Sequence, residues 1–374
     1  MEAESRPILA LGHYTDAERA RLTSIAELAA MQLTVFPTLA EASVWRTANS
    51  PHVILARVQD STAEALGPQA RAQQENSLIP IVSLVDNLDD LGFAEVFSWG
   101  GDDAVEFTSG SALIPRLRRL PRSLTSVPRA THGAALIAST DQAQRLVLGR
   151  VLRQAGYEIR FAVTAEDTIN LSTSVDIVVA TIELTDEPVE LTRQARDAGS
   201  RAMWVLLRPP RELAECQHVL DEIGNAVAAD GYAPPENVVF LINELSRGAG
   251  PDNRASRRLL YGVTVHFRGV GRESDDLGYS FNISEGGLYV RTLAPPDDDE
   301  VWLELRPPRS DKLVRLEGKV VWRRGFGANE WATVPPGFGF CLTDGSQSSR
   351  QVWRESYCAF GAALGMSPTS LCRR

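Results

Sequence analysis

Short apolar blocks and longer amphipathic stretches alternate along most of the chain, most regularly between residues 132 and 247. "AALIAS" (134–139) has the makeup of a buried strand. "TDQAQRLVLGRVLRQAG" (140–156) then repeats apolar residues at helical spacing and closes on Gly156 as a C-cap. "YEIRFAV" alternates as a strand and "AEDTINLSTS" reads as a helix. "VDIVVATI" (175–182) is apolar almost throughout, as a parallel strand covered on both faces must be. "EPVELTRQARDAG" and "AMWVLL" (202–207) add a further helix and strand. The spacing predicts a doubly wound α/β domain over 134–248.

Residues 6–122 repeat this rhythm more loosely. "PILALG", "LTVFP", "HVILARV", "IPIVSLV" and "DDAVEF" are the strand candidates of a first α/β domain over 1–122. "RLPRSLTSVPRATHG" (119–133) reads as a Pro/Ser/Arg-rich connection, with a linker over 123–133. From about 254 the period changes to two. "YGVTVHFR", "LGYSFN", "GGLYVRT", "EVWLELRP", "KLVRLEGKVVWRR" and "GFGFCL" are β-branched and aromatic runs parted by Gly, Pro and Asp. Six such runs predict a small antiparallel β-barrel or sandwich over 249–366. "SSRQVWRESYCAFGAALG" (348–365) spaces Val352, Tyr357, Phe360 and Leu364 on one helical face, so a closing helix is expected to pack on the barrel. Residues 367–374 are expected to form a flexible tail.

A length of 374 residues suits a multidomain chain, and 44% hydrophobic with 23% charged content is that of a soluble globular protein. No apolar run approaches the roughly 20 residues that span a bilayer. "MEAESRPILALG" has no basic region ahead of a long apolar core, so the expected location is the cytoplasm. Cys216, Cys341, Cys358 and Cys372 lack C-x-x-C spacing and read as reduced thiols. The net charge of −10 is uneven: residues from Ala249 onward hold 17 basic and 15 acidic groups, leaving 21 basic and 33 acidic in the first 248. An acidic front half argues against a nucleic-acid binder. The arginines near 254–258 are a local exception, suited to a small anion.

No catalytic constellation emerges. His13, His52, His132, His218 and His266 show no paired metal-ligand spacing, and neither a G-x-S-x-G, a P-loop nor an H-E-x-x-H occurs. "PPDDDE" (295–300) reads as a solvated hairpin loop, and Trp302, Trp322, Trp331 and Trp353 as barrel core or rim. No enzyme activity, cofactor or metal is expected.

The second α/β segment resembles the receiver domain of two-component response regulators through "ALIASTDQAQRLVLGRVLRQAGYEIRFAVTAEDTI". The first resembles it through "GGDDAVEF" (100–107). A receiver's phosphoryl chemistry needs an acidic pair for Mg²⁺, an acceptor Asp and a Lys. The corresponding positions of the second segment hold Ser139, Thr140 and Thr181, and the acceptor region of the first reads Ala56-Arg57. The chain's two lysines, Lys312 and Lys319, lie in neither segment. Asp141 and Asp176 read as a helix-start and a strand-entry residue. The resemblance therefore implies pseudo-receivers that dimerise or dock a protein partner.

Over roughly 252–362 the chain resembles the PilZ domain, a cyclic di-GMP receptor marked by R-x-x-x-R before its first strand and [D/N]-x-S-x-x-G between its second and third. Arg254-Ala-Ser-Arg-Arg258 and Asn282-Ile-Ser284-Glu-Gly286-Gly287 match these motifs. Arg257 or Arg258 could instead open the first motif, with Tyr261 or Gly262 at its second arginine. The resemblance implies a ligand site of Arg254, Arg257, Arg258, Asn282, Ser284, Gly286 and Gly287. Arginine suits that ligand because its fork fits both a phosphate and the guanine O6/N7 edge, and its plane stacks on a purine. Asn282 and Ser284 offer short polar groups, and the glycines a tight turn near the ligand. "SRGAGPDNRASRR" is expected to be a mobile interdomain segment that binding would clamp, with motility, adhesion or polysaccharide secretion as implied outputs. A barrel that has lost its ligand and serves as a protein-interaction scaffold is the alternative.

Overall fold

The computed structural model describes residues 6–58, 66–72, 79–122, 132–247, 256–271, 274–327, 333–366 and 371, and the elements and counts below refer to these. The first unit runs β1 (Pro7–Leu11), α1 (Asp16–Leu28), β2 (Gln32–Phe36), α2 (Leu39–Ala48), β3 (Val53–Arg57), α3 (Leu66–Ala72), β4 (Ile81–Val85), α4 (Asp90–Ser98), β5 (Asp103–Glu106) and α5 (Leu113–Arg119). Its strands form a parallel sheet in the order β2-β1-β3-β4-β5. β3 and β4 are buried at every position because helices cover both faces of a parallel sheet. Thr15 and Glu18 close a capping box that fixes the start of α1.

The second unit repeats this plan with β6 (Ala134–Ala138), α6 (Gln142–Gln154), β7 (Glu158–Ala162), α7 (Ala165–Ser172), β8 (Ile177–Ala180), α8 (Pro188–Asp197), β9 (Met203–Arg208), α9 (Leu213–Ile223), β10 (Ala226–Asp230) and α10 (Glu236–Arg247). Its order, β10-β9-β8-β6-β7, is that of the first sheet read from the other edge. Gly156 follows α6 at φ +92°, a left-handed turn that lets the chain leave the helix and enter β7. Asp141 caps α6 through Ala143 N, and Asp176 accepts from Ala134 N beside the start of β8, as their positions predict. β10 is an edge strand of sequence AVAAD, so its alanine-rich, half-buried pattern carried no strand signal.

The third unit holds β11 (Leu259–Leu260), β12 (Thr264–Gly269), β13 (Asp276–Ser284), β14 (Gly287–Arg291), β15 (Glu300–Leu305), β16 (Val314–Arg324) and β17 (Gly337–Asp344). Six antiparallel strands close in the ring β13-β12-β15-β16-β17-β14, since β14 pairs with both β13 and β17; the two-residue β11 adds to β13 outside it. Inward residues of β16 alternate with exposed ones over its first seven positions, as a barrel wall requires.

α11 (Gln347–Ala363) closes the barrel with Val352, Tyr357 and Phe360 on the packed side as expected, while Trp353 joins that side and Leu364 does not. Trp353 and Tyr357 are fully buried in the barrel core, Val352 and Phe360 pack at its edge, and Leu364 lies beyond the helix, 52% exposed. Trp302 sits at the rim between the guanidinium groups of Arg268 and Arg315, Trp322 is partly exposed, and Trp331 lies outside the described residues. Leu371 corrects the expectation of a flexible tail at that position. It is buried against α11, where a Cβ on Gly361 would meet its side chain. Linker residues 123–131 also lie outside the described residues.

"GGDD" (100–103) is where the three units meet. Gly100 O accepts from Arg71 Nε and Gly101 O from Arg291 of the barrel at 2.7 Å. Asp102 bridges Arg71 and Arg150 of the second unit. Asp103 pairs with Arg116 and accepts from Leu293 N of the barrel, both at 2.8 Å. Arg116 also donates to Asp276 and to Leu277 O of β13. Each buried charge therefore has an opposite partner, and several of the partners come from another unit.

Candidate functional site

The two motifs meet along one edge of the barrel. Leu259 pairs with Ile283 and Leu260 with Asn282, antiparallel, so the chain arriving from the arginine cluster runs beside the motif strand β13. The same direction carries back to Ser256, whose Oγ accepts from Glu285 N at 3.3 Å. Arg257 is held at both main-chain groups: its N–H donates to Leu371 O at 3.0 Å, and its carbonyl accepts from Tyr357 Oη at 2.8 Å. The side chains of Arg257 and Arg258 are exposed. Arg254 lies outside the described residues, as does the 248–255 stretch of the interdomain segment. Tyr261 does not fill the turn. Its hydroxyl donates to Arg306 O and its ring packs edge-on against Phe360.

The turn between β13 and β14 is tied from below and from the side. Trp353 Nε1 donates to Glu285 O at 3.0 Å, Leu342 N donates to Gly286 O at 2.8 Å, and Ser284 Oγ donates to Gly287 O at 3.2 Å. The two glycines have different reasons. A Cβ on Gly287 would sit 2.0 Å from Phe340 O of β17, so the close approach there is between strands. A Cβ on Gly286 would meet nothing within 4 Å.

Asn282 departs most from its expected setting. It is 3% exposed, and its Nδ2 has no hydrogen-bond partner. Its cross-strand neighbour Tyr289 belongs to a cluster in which Phe240 of α10 packs on Phe281, with Leu260 and Val334 at the edge. The second unit thus covers the outer face of β13 that carries the motif asparagine. An unpaired buried amide costs about 1–3 kcal/mol.

Beside this covered face lies a cleft of about 540 Å³ walled by all three units. Arg258, Tyr261, Phe281 and Arg291 line it from the barrel, Phe97 from the first unit and Asn237 from the second. Burial lifts the Tyr261 and Tyr279 hydroxyls to about 12, with the Asp90 carboxylate adding to both shifts. Arg291 and Glu236 carried no sequence signal, because each belongs to an ordinary strand or helix and acquires its setting only when the units pack.

The receiver-like positions are assembled but chemically altered. Ser139 ends up buried beyond β6 with its Oγ accepting from Asp141 N, and Thr181 follows β8 with its hydroxyl buried and unpartnered. Arg57, the last residue of β3, pairs with Asp86 and Glu18 and stacks on Phe107. An alcohol and a cation therefore stand at the acceptor positions. Among the described residues no group of His, Cys, Asp and Glu is arranged to hold a metal, and no helix is long and apolar enough to cross a membrane.

Residues 252–357 match the family model of the PilZ domain, so the barrel and most of its closing helix are a PilZ domain. No curated protein matches the chain. Among solved structures, the PilZ domain of CeSA from a cellulose-synthesizing bacterium is 13% identical at a TM-score of 0.21, covering 29% of this chain and 97% of that one. The response regulator DrrB of Thermotoga maritima is 18% identical at 0.26, covering 31% of this chain and 52% of its own. A putative two-component response regulator/GGDEF domain protein is 15% identical at 0.27, covering 65% and 99%. The receiver-like assignment of the two α/β units rests on their strand order.

Proposed function

We propose that the chain is a non-enzymatic cytoplasmic signalling effector whose PilZ barrel binds cyclic di-GMP and relays binding to a protein partner through the two α/β units. The observation that carries this reading is the pairing of Leu259–Leu260 with Ile283–Asn282, continued by the Ser256–Glu285 contact. It runs the main chain that carries Arg257 and Arg258 beside the end of β13, the strand that bears Asn282 and Ser284. Two exposed arginines on a segment that runs beside the motif strand suit a ligand with two phosphates and two guanines. Arg254 would add a third cation from the same segment. Units with an alcohol and a cation at their acceptor positions suit docking, or pairing with a second copy, better than phosphotransfer.

Isothermal calorimetry with cyclic di-GMP on the full chain tests this. Wild type is expected to bind at micromolar or better affinity, and Arg258→Ala at least tenfold more weakly. No heat from wild type at high micromolar ligand would overturn the receptor reading, and unchanged binding by the variant would overturn the site. The burial of Asn282 favours a second reading, a ligand-free interaction scaffold, which predicts the silent titration.

A further inference from the structure

Arg291 ends β14, two residues beyond Tyr289 on the same outer face, and lines the cleft that Arg258 also lines. Its side chain is 2% exposed, and the guanidinium is gripped by the Glu236 carboxylate in a two-pronged contact, Nη2 to Oε1 at 2.9 Å and Nη1 to Oε2 at 3.1 Å. The Phe97 ring lies 3.6 Å from its carbon, and Nη2 also donates to Gly101 O. Its remaining nitrogen, Nε, is buried without a partner. This is a formed anion site, with an aromatic plane behind it and a donor to spare, and it is occupied by a carboxylate from another unit. A phosphate offers the same paired oxygens plus further acceptors, in the geometry an arginine fork accepts.

Building on the receptor reading above, we infer that Arg291 is an additional phosphate-binding residue of the PilZ site and that Glu236 is the internal anion the ligand displaces. Glu236 is the first residue of α10, and Phe240, one turn on, covers the cluster beside Asn282. Exchange of the carboxylate for a ligand phosphate frees the start of that helix. The same movement uncovers Asn282, whose unpaired amide then faces the ligand. Binding and release of the second unit are thereby one event, because a single guanidinium cannot hold both anions in the same fork.

Calorimetry with cyclic di-GMP on the full chain separates this inference from the reading it rests on. Glu236→Gln keeps the shape and removes the competing charge, so it is expected to bind about tenfold more tightly than wild type. Arg291→Ala is expected to bind at least tenfold more weakly. Hydrogen exchange over 236–247 is expected to rise when ligand is added to wild type. If wild type binds but Glu236→Gln binds equally or more weakly, with its melting curve still cooperative, the displacement is wrong even where Arg291→Ala fails to fold. Ligand binding with unchanged exchange over 236–247 also overturns it. A wild type that does not bind overturns the receptor reading and this inference together.

Discussion

Asp102 and Arg150 form a buried ion pair that joins the two α/β units, 3.0 Å between Oδ1 and the guanidinium, while Arg71 holds the other carboxylate oxygen. Burial would raise the Asp102 carboxyl, but the Arg150 and Arg71 charges outweigh it and hold the group below the usual carboxylate value. Its pKa is thus lower folded than unfolded, so the stabilisation is complete above the unfolded pKa of about 4 and is lost as pH falls through the folded value. Asp102→Asn is expected to cost about 3–5 kcal/mol at neutral pH and to flatten the acid limb of stability against pH. Urea unfolding at a series of pH values measures both. A variant whose acid limb matches wild type would show that the pair does not set it.

Gly287→Ala and Gly286→Ala should separate. The first drives a Cβ against the Phe340 carbonyl, for a loss of about 1–3 kcal/mol, whereas the second adds a methyl to open space and should stay within about 0.5 kcal/mol of wild type. Thermal melts read the difference, and equal midpoints would refute the contact between strands as the reason for the second glycine.

Asn282→Leu sets stability against binding. Removing an amide whose donor is unpaired should leave the unfolding free energy within about 1 kcal/mol of wild type, or raise it, while cyclic di-GMP affinity falls at least tenfold. A stability loss above about 2 kcal/mol would mean that the amide supports the fold.

Trp353→Phe keeps an aromatic ring in the barrel core and deletes the indole bond to Glu285 O. The expected cost is about 1 kcal/mol in unfolding experiments, with faster amide exchange at Glu285 and Gly286. Unaltered exchange would show that the turn is held without α11.

Incubation with radiolabelled acetyl phosphate is expected to leave both α/β units unlabelled, because Thr181 and Arg57 stand where a carboxylate acceptor would be needed. Stoichiometric label on either unit would remove the pseudo-receiver reading.

Much of the architecture is legible from local pattern. The uninterrupted apolar run at 175–182 reports a strand covered on both sides, and the alternation in "KLVRLEGKVVWRR" reports a barrel wall with one wet face. Both follow from side-chain direction along a strand, which neighbouring residues determine. The weakest strand, Ala226–Asp230, is an edge strand of small residues, where burial leaves little trace in composition. On α11 the apolar spacing marks Val352, Tyr357 and Phe360 as packing on the barrel, but it leaves out the fully buried Trp353 and includes Leu364, which falls beyond the helix.

The sequence by itself determined the motif residues, the altered receiver chemistry and the order of the three units, since each depends on residue type and short spacing. Only the tertiary structure decided that Phe240 packs on the Phe281–Tyr289 cluster beside Asn282, that Arg291 holds Glu236, and that "GGDD" is the shared junction. The polar pairings join residues 48 to 190 positions apart, and no local period encodes them. What selects the ionic pairings among them is the cost of an unpaired buried charge, met by a counterion from another unit in Asp102–Arg150 and Arg291–Glu236.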